Sequence, residues 1–113
     1  MMTRPTLGCR LVLEAATRVA DGAGGHATVW APLGTVWADI APGTPREVRA
    51  PGATAAIAAL RVTLRGAPVG SPQRPSPGQR FREGARLYAI TGVAEADPFG
   101  RFLLCHAHEE TAL

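Results

Sequence analysis

Lysine and asparagine are absent from this 113-residue chain, and only 5% of its residues are aromatic. Without lysine there is no Walker motif, so the phosphate-cradling loop of P-loop nucleotide hydrolases is excluded. With so few rings, Val, Leu, Ile and Ala must build most of any core. No apolar run approaches the roughly 18 residues needed to span a bilayer. The apolar patch near the N-terminus is interrupted by Arg10 and Glu14 and has no signal-peptide h-region, so a soluble chain made in the cytoplasm is expected. There are two cysteines, Cys9 and Cys105. They could lie on adjacent strands, but in a cytosolic protein reduced, packed thiols are the expectation.

Apolar residues make up 46% of the chain, an ordinary share for a globular protein. Its length predicts one domain over residues 1–113. The net charge is +3, carried on the basic side by 12 arginines. Abundant Ala, Gly, Pro and Arg suit a GC-rich coding genome, so part of the arginine count is compositional. A role on a phosphate backbone requires clustering. Arg46 and Arg49 lie close in sequence, as do Arg74, Arg80, Arg82 and Arg86.

Residues 1–8 read as a flexible arm punctuated by Pro5 and Gly8. Residues 10–15 (RLVLEA) are a first strand, with Leu11 and Leu13 on one face. Asp21-Gly22 and Gly24-Gly25 mark a hairpin tip. GAGG lacks the spacing and context of a dinucleotide fingerprint. Residues 27–31 (ATVWA) return, Pro32 and Gly34 mark a bend or bulge, and residues 35–40 (TVWADI) resume the strand. Val36, Ala38 and Ile40 share one face, and Trp37 and Asp39 the other. Trp30 and Trp37 suit core or interface anchoring.

Residues 41–54 (APGTPREVRAPGAT) hold three prolines and two glycines and do not read as a regular strand. Pro51-Gly52 is a turn signal, and a short helical turn is expected over residues 45–49, with Thr44 as N-cap. One long strand is expected from about Ala56 to Arg65, where Leu60, Val62 and Leu64 alternate with Arg61, Thr63 and Arg65. Residues 66–79, with four prolines, form a long loop that suits a surface or interface role. Short strands follow at 80–82 and 86–94, around a Glu83-Gly84 turn. Asp97-Pro98-Phe99-Gly100 is a hairpin turn before a last strand, 101–108. The expected fold is all-β: a small antiparallel barrel of about six or seven strands, with at most one or two short helical turns.

Catalytic chemistry finds no foothold. Cys105, His106 and His108 alternate across a strand and cannot converge on one metal. Ser71 and Ser76 sit in a Pro-rich loop, not a nucleophile elbow. Glu109-Glu110 is the only carboxylate pair. No enzyme, metal or cofactor is expected. The profile is that of an assembly component or a binding module.

The order of these pieces resembles the phage head–tail joining family, the head-completion or stopper proteins of long-tailed phages. The resemblance is carried by Asp21-Gly22-Ala23-Gly24-Gly25, Trp30, Val36-Trp37-Ala38-Asp39-Ile40 and Leu60-Arg61-Val62-Thr63-Leu64-Arg65. It continues through Gly84-Ala85-Arg86-Leu87-Tyr88-Ala89-Ile90 and Asp97-Pro98-Phe99-Gly100-Arg101-Phe102-Leu103-Leu104-Cys105. It spans about residues 10–106, and the composition is similar to the versions in alphaproteobacterial prophages and gene transfer agents. The family's usual histidine before the central strand is absent.

The resemblance implies a structural connector in the neck of a virion or virus-like particle, assembled in the bacterial cytoplasm. There a homo-oligomeric ring, by preference a hexamer, joins the portal-side adaptor to the tail terminator and tail tube. Residues 42–54 would then be the loop that closes the channel. Arg46, Glu47 and Arg49 would face double-stranded DNA without reading its sequence, and no membrane is involved. Trp30, Trp37, Arg74, Arg80 and Arg82 are the candidates for interfaces. The competing readings are a tail-terminator-like neck protein and a free-standing small β-barrel that binds nucleic acid or peptide.

Overall fold

Alternation decides the core. In β1 (Cys9–Ala20), Leu11 and Leu13 point inward while Arg10 and Val12 point out. The computed structural model describes residues 6–43, 46–50, 53–57 and 59–110; for 46–50 and 53–57 it describes strand and pairing alone. The remaining strands are β2 (His26–Pro42), β3 (Arg46–Ala50), β4 (Ala53–Ile57), β5 (Ala59–Arg65), β6 (Arg80–Glu83), β7 (Arg86–Glu95) and β8 (Phe102–Glu110). Among the described residues there is no helix, and none that could cross a membrane.

Six strands close into an antiparallel barrel in the order β1-β2-β5-β8-β7-β6, and β3 and β4 form a separate two-stranded sheet. The short β6 completes the ring, pairing Leu13 with Phe81 on one side and Phe81 with Tyr88 on the other. Closure leaves no open edge along the paired stretches. The interior holds Leu11, Leu13, Val62, Leu64, Phe81, Tyr88, Ile90, Leu103 and Cys105, with Val36, Ile40, Leu60 and Val93 packed around them. Tyr88 carries the largest of these side chains, and its hydroxyl donates to Glu83 Oε1 at 2.9 Å. Burial first, and then this hydrogen bond, pushes the phenol up to about 12.

The turns expected from sequence are present. Asp21 Oδ1 accepts from Ala23 N and Gly25 N at 2.8 and 3.0 Å, and Gly22 and Gly24 take positive φ. Asp97 Oδ1 accepts from Arg101 N at 2.8 Å and closes the turn before β8. The bend at Pro32 and Gly34 is a β-bulge. Leu13 faces Gly34 and Glu14 faces Pro32, which leaves Leu33 as the extra residue.

The return strand expected through 27–31 and 35–40 is one 17-residue strand running through the bulge. Other expectations are corrected. The helical turn at 45–49 is replaced by β3, whose pairs run from Arg46↔Ile57 to Ala50↔Ala53 on either side of Pro51-Gly52. Cross-strand pairing overrides the local proline and glycine signals; Thr44, Pro45, Pro51 and Gly52 lie outside the described residues. The strand expected over 56–65 is divided, because β4 pairs with β3 whereas β5 pairs with β2 and β8. Nor do Cys9 and Cys105 lie on adjacent strands. β1 and β8 stand three strands apart in either direction around the ring, and both thiols are free.

The first hairpin also outgrows the barrel. Its pairs from Ala15↔Ala31 to Ala20↔His26 have no third strand beside them among the described residues. Six pairs at about 3.3 Å per residue extend a ribbon by roughly 20 Å, consistent with the overall dimensions of 54 × 35 × 24 Å. The expected first strand ended at Ala15, at the foot of this ribbon.

Candidate functional site

Two features outside the packed core can carry function: the β3–β4 hairpin and a groove at one end of the barrel. The hairpin leaves the barrel after β2 and re-enters at β5. Its feet are joined, because Gly43 N donates to Ala59 O at 2.9 Å. The barrel ladders on both sides of the insertion therefore hold without any strand of the insertion entering the ring. Arg46, Glu47 and Arg49 all lie on β3, placed on the hairpin by their pairing with Ile57, Ala56 and Thr54. Their side chains lie outside the described part of the structure.

The arginines expected at interfaces divide between two places. Arg80 and Arg82, on β6, turn to the outer face of β1 and grip Glu14. Arg80 Nε donates to Glu14 Oε1 at 2.8 Å and Arg82 Nε to Oε2 at 3.0 Å. Trp30 completes the group, with the Arg80 guanidinium 4.0 Å from the centroid of its ring. Glu14 is only 6% exposed, the one buried charged residue among those described. Burial alone would raise its pKa; the hydrogen bonds and charges of Arg80 and Arg82 outweigh it and hold the carboxyl below the ordinary glutamate range. Sequence reading missed Glu14. Its one signal is an acid on the polar face of a strand, and its partners lie 66 and 68 residues away.

Arg74 sits in the 66–79 loop, where its Nη1 donates to Ala67 O at 3.0 Å. That loop is partly packed onto the barrel: Pro75 is buried, Gly78 N donates to Ile90 O, and Ile90 N donates to Gln79 O. Val69 at its far end is 86% exposed. A further ion pair lies at the end of the barrel, on the face that Tyr88 and Ala107 turn inward, where Arg86 binds both carboxylate oxygens of Glu109 at 2.8 Å. The Arg86 hydrogen bonds hold Glu109 below its usual range, and Glu109 holds Arg86 above its own.

Trp37 is placed differently from Trp30. It is 55% exposed and stands at the rim of an open groove of about 780 Å³. The groove lies where β2 and β5 part. Their ladder ends at Ala38↔Leu64, after which β5 runs into Gly66, whose N–H donates to Arg101 O at 2.8 Å. Val36 and Leu64 contribute apolar lining, Arg65 and Arg101 supply positive charge, and no carboxylate lines it. Among the described residues no group of three or more His, Cys, Asp or Glu could hold a metal ion. His106 is exposed while Cys105 is buried, so alternation separates them as the strand pattern requires.

The model of the phage head completion protein family matches residues 2–110. A chain in the solved structure titled "Virion of native gene transfer agent (GTA) particle" is 48% identical to this one, with a TM-score of 0.80. The match covers 96% of the present chain and 100% of that one. No match was found among curated proteins. With the family model spanning nearly its whole length, the chain belongs to the phage head completion protein family.

Proposed function

We propose that this protein is a stopper: a non-enzymatic neck subunit of a phage or gene-transfer-agent particle that forms a ring between the portal-side adaptor and the tail. Family membership makes it a structural protein of a phage-type head, and the similar virion chain supports a place in such a particle. The observation that carries the gating role is the β3–β4 hairpin. It is a sheet of its own, inserted between two barrel strands whose feet are already bonded to each other. Such an insertion is free to point into a channel while the barrel builds the ring wall.

A ring multiplies one hairpin by its copy number, six in this reading, so that several meet near one axis. Arg46 and Arg49 then form a repeated positive girdle suited to phosphates, and such contacts do not read sequence. Glu47 moderates that field by pairing with an arginine of its own or a neighbouring subunit. The tail terminator and tail tube lie on one side of the ring and the adaptor on the other, with double-stranded DNA in the lumen.

The test replaces residues 44–58 by a short glycine turn between Gly43 and Ala59, whose existing backbone bond allows the closure. The variant folds and assembles into rings seen by electron microscopy, but particles carrying it lose packaged DNA before the tail attaches. Full retention of DNA by such particles removes the gate from this hairpin.

A further inference from the structure

The groove beside Trp37 lies outside the gating hairpin, and its reading does not depend on the ring. Three properties coincide there. The first is an open strand edge. β1 occupies one side of β2, but along residues 26–37 no described strand pairs with the other side. Unpaired strand edges present N–H and C=O groups in register for another extended chain, and natural sheets blunt them with prolines, charges or bulges. Pro32 and the bulge at Leu33 blunt the upper part of this edge. Thr35, Val36 and Trp37, which line the groove, carry no such device.

The second property is charge. Arg65 and Arg101 flank the groove, and its lining has no acid to balance them. Arg101 shares its charge with Asp97 at 3.4 Å, while no ion pair reaches Arg65 among the described residues. The third is Trp37 itself. An indole left 55% exposed keeps a large apolar face in water, and tryptophan is among the residue types enriched at interface hot spots.

We infer that the groove takes an extended, acidic peptide segment of another protein, added as a strand to the free edge of β2. Its main chain bonds along Thr35–Trp37. Its carboxylates, at alternate positions because side chains alternate along a strand, meet Arg65 and Arg101. An apolar side chain between them rests on Trp37. This is strand addition, in which backbone bonds give affinity and flanking side chains give selectivity. A DNA duplex could use the arginines but not the backbone edge.

The test uses the full chain and a ten-residue peptide of alternating valine and glutamate. Controls are the valine–lysine peptide and a version with proline at the pairing positions. The glutamate peptide binds with a Kd below about 1 mM. Its amide shifts fall on Thr35–Trp37 and Arg65–Ala67, and the lysine and proline versions do not bind. Arg65→Glu, and separately Trp37→Ala, weakens binding by about tenfold or more, a loss of roughly 1.4 kcal/mol, with thermal unfolding unchanged. Equal binding of both charges, survival of binding with proline, no binding at millimolar peptide, or shifts elsewhere overturn the inference. A short DNA duplex that binds these residues more tightly than the peptide also overturns it.

Discussion

Arg80 and Glu14 stand opposite each other on neighbouring strands, Nε to Oε1 at 2.8 Å, although 66 residues separate them in the chain. This contact helps close the barrel, since β6 meets β1 over only three residue pairs. Removing the carboxylate leaves Arg80, only 15% exposed, without its partner. Breaking a buried pair from one side costs about 3–5 kcal/mol. With Arg82 as much as 42% exposed, we expect Glu14→Gln to lose about 2–3 kcal/mol, read from the midpoint of urea unfolding.

The same pair predicts an acid limit. The folded Glu14 carboxyl titrates below its ordinary range, so over that window the unfolded chain binds more protons than the folded one. The stabilisation is complete above the unfolded glutamate value of about 4.3 and is lost as pH falls from there towards the folded value. Glu14→Gln flattens this part of the stability–pH curve; a wild-type and a variant curve that fall in parallel below that pH contradict it.

Arg80 also lies over Trp30, so lysine is a poor replacement: it lacks the planar fork that can stack and pair at once. A double-mutant cycle with Trp30→Ala and Arg80→Lys should give a coupling of about 0.5–2 kcal/mol. Additive effects mean that the guanidinium gains nothing from Trp30 that a lysine ammonium does not.

Gly66 is fixed by contact. A Cβ there would collide with the carbonyl oxygen of Gly100, while its own N–H holds Arg101 O. Gly66→Ala forces the β5 exit and the turn before β8 apart and is expected to lose about 1–3 kcal/mol. Gly8→Ala, where nothing lies within 4 Å, is the matched control and leaves the unfolding midpoint in place.

The parts of this molecule written locally are those the sequence displays. Leu60, Val62 and Leu64 alternate with polar partners and lie inside the barrel as that pattern requires. The Asp21, Glu83-Gly84 and Asp97 turns carry their own side-chain or glycine signals. What stayed hidden depends on partners far along the chain. Residues 16–20 (ATRVA) have little strand character alone and are held by residues 26–30. The proline-rich excursion becomes a hairpin because Val48 pairs with Ala55, a choice that local propensity does not encode. Glu14 and the groove at Trp37 exist only once the strand order of the barrel is set.

That strand order also decides the cysteines. Cys9 on β1 and Cys105 on β8 are three strands apart by either route, and with neighbouring strands about 4.8 Å apart opposite strands of such a ring lie beyond the roughly 7 Å between Cα atoms that a disulfide can bridge. Burial pushes the Cys105 thiol up to about 12, with the nearby Arg74 charge only partly offsetting it. At pH 8 the native protein should therefore react with a thiol reagent at Cys9, which is partly exposed, while Cys105 reacts only after unfolding in denaturant. Oxidation should yield no intramolecular bridge, so the mobility of the monomer on non-reducing gels stays that of the reduced chain. Rapid modification of both thiols in the native state, or a compact oxidised monomer, contradicts the barrel order from which the expectation is drawn.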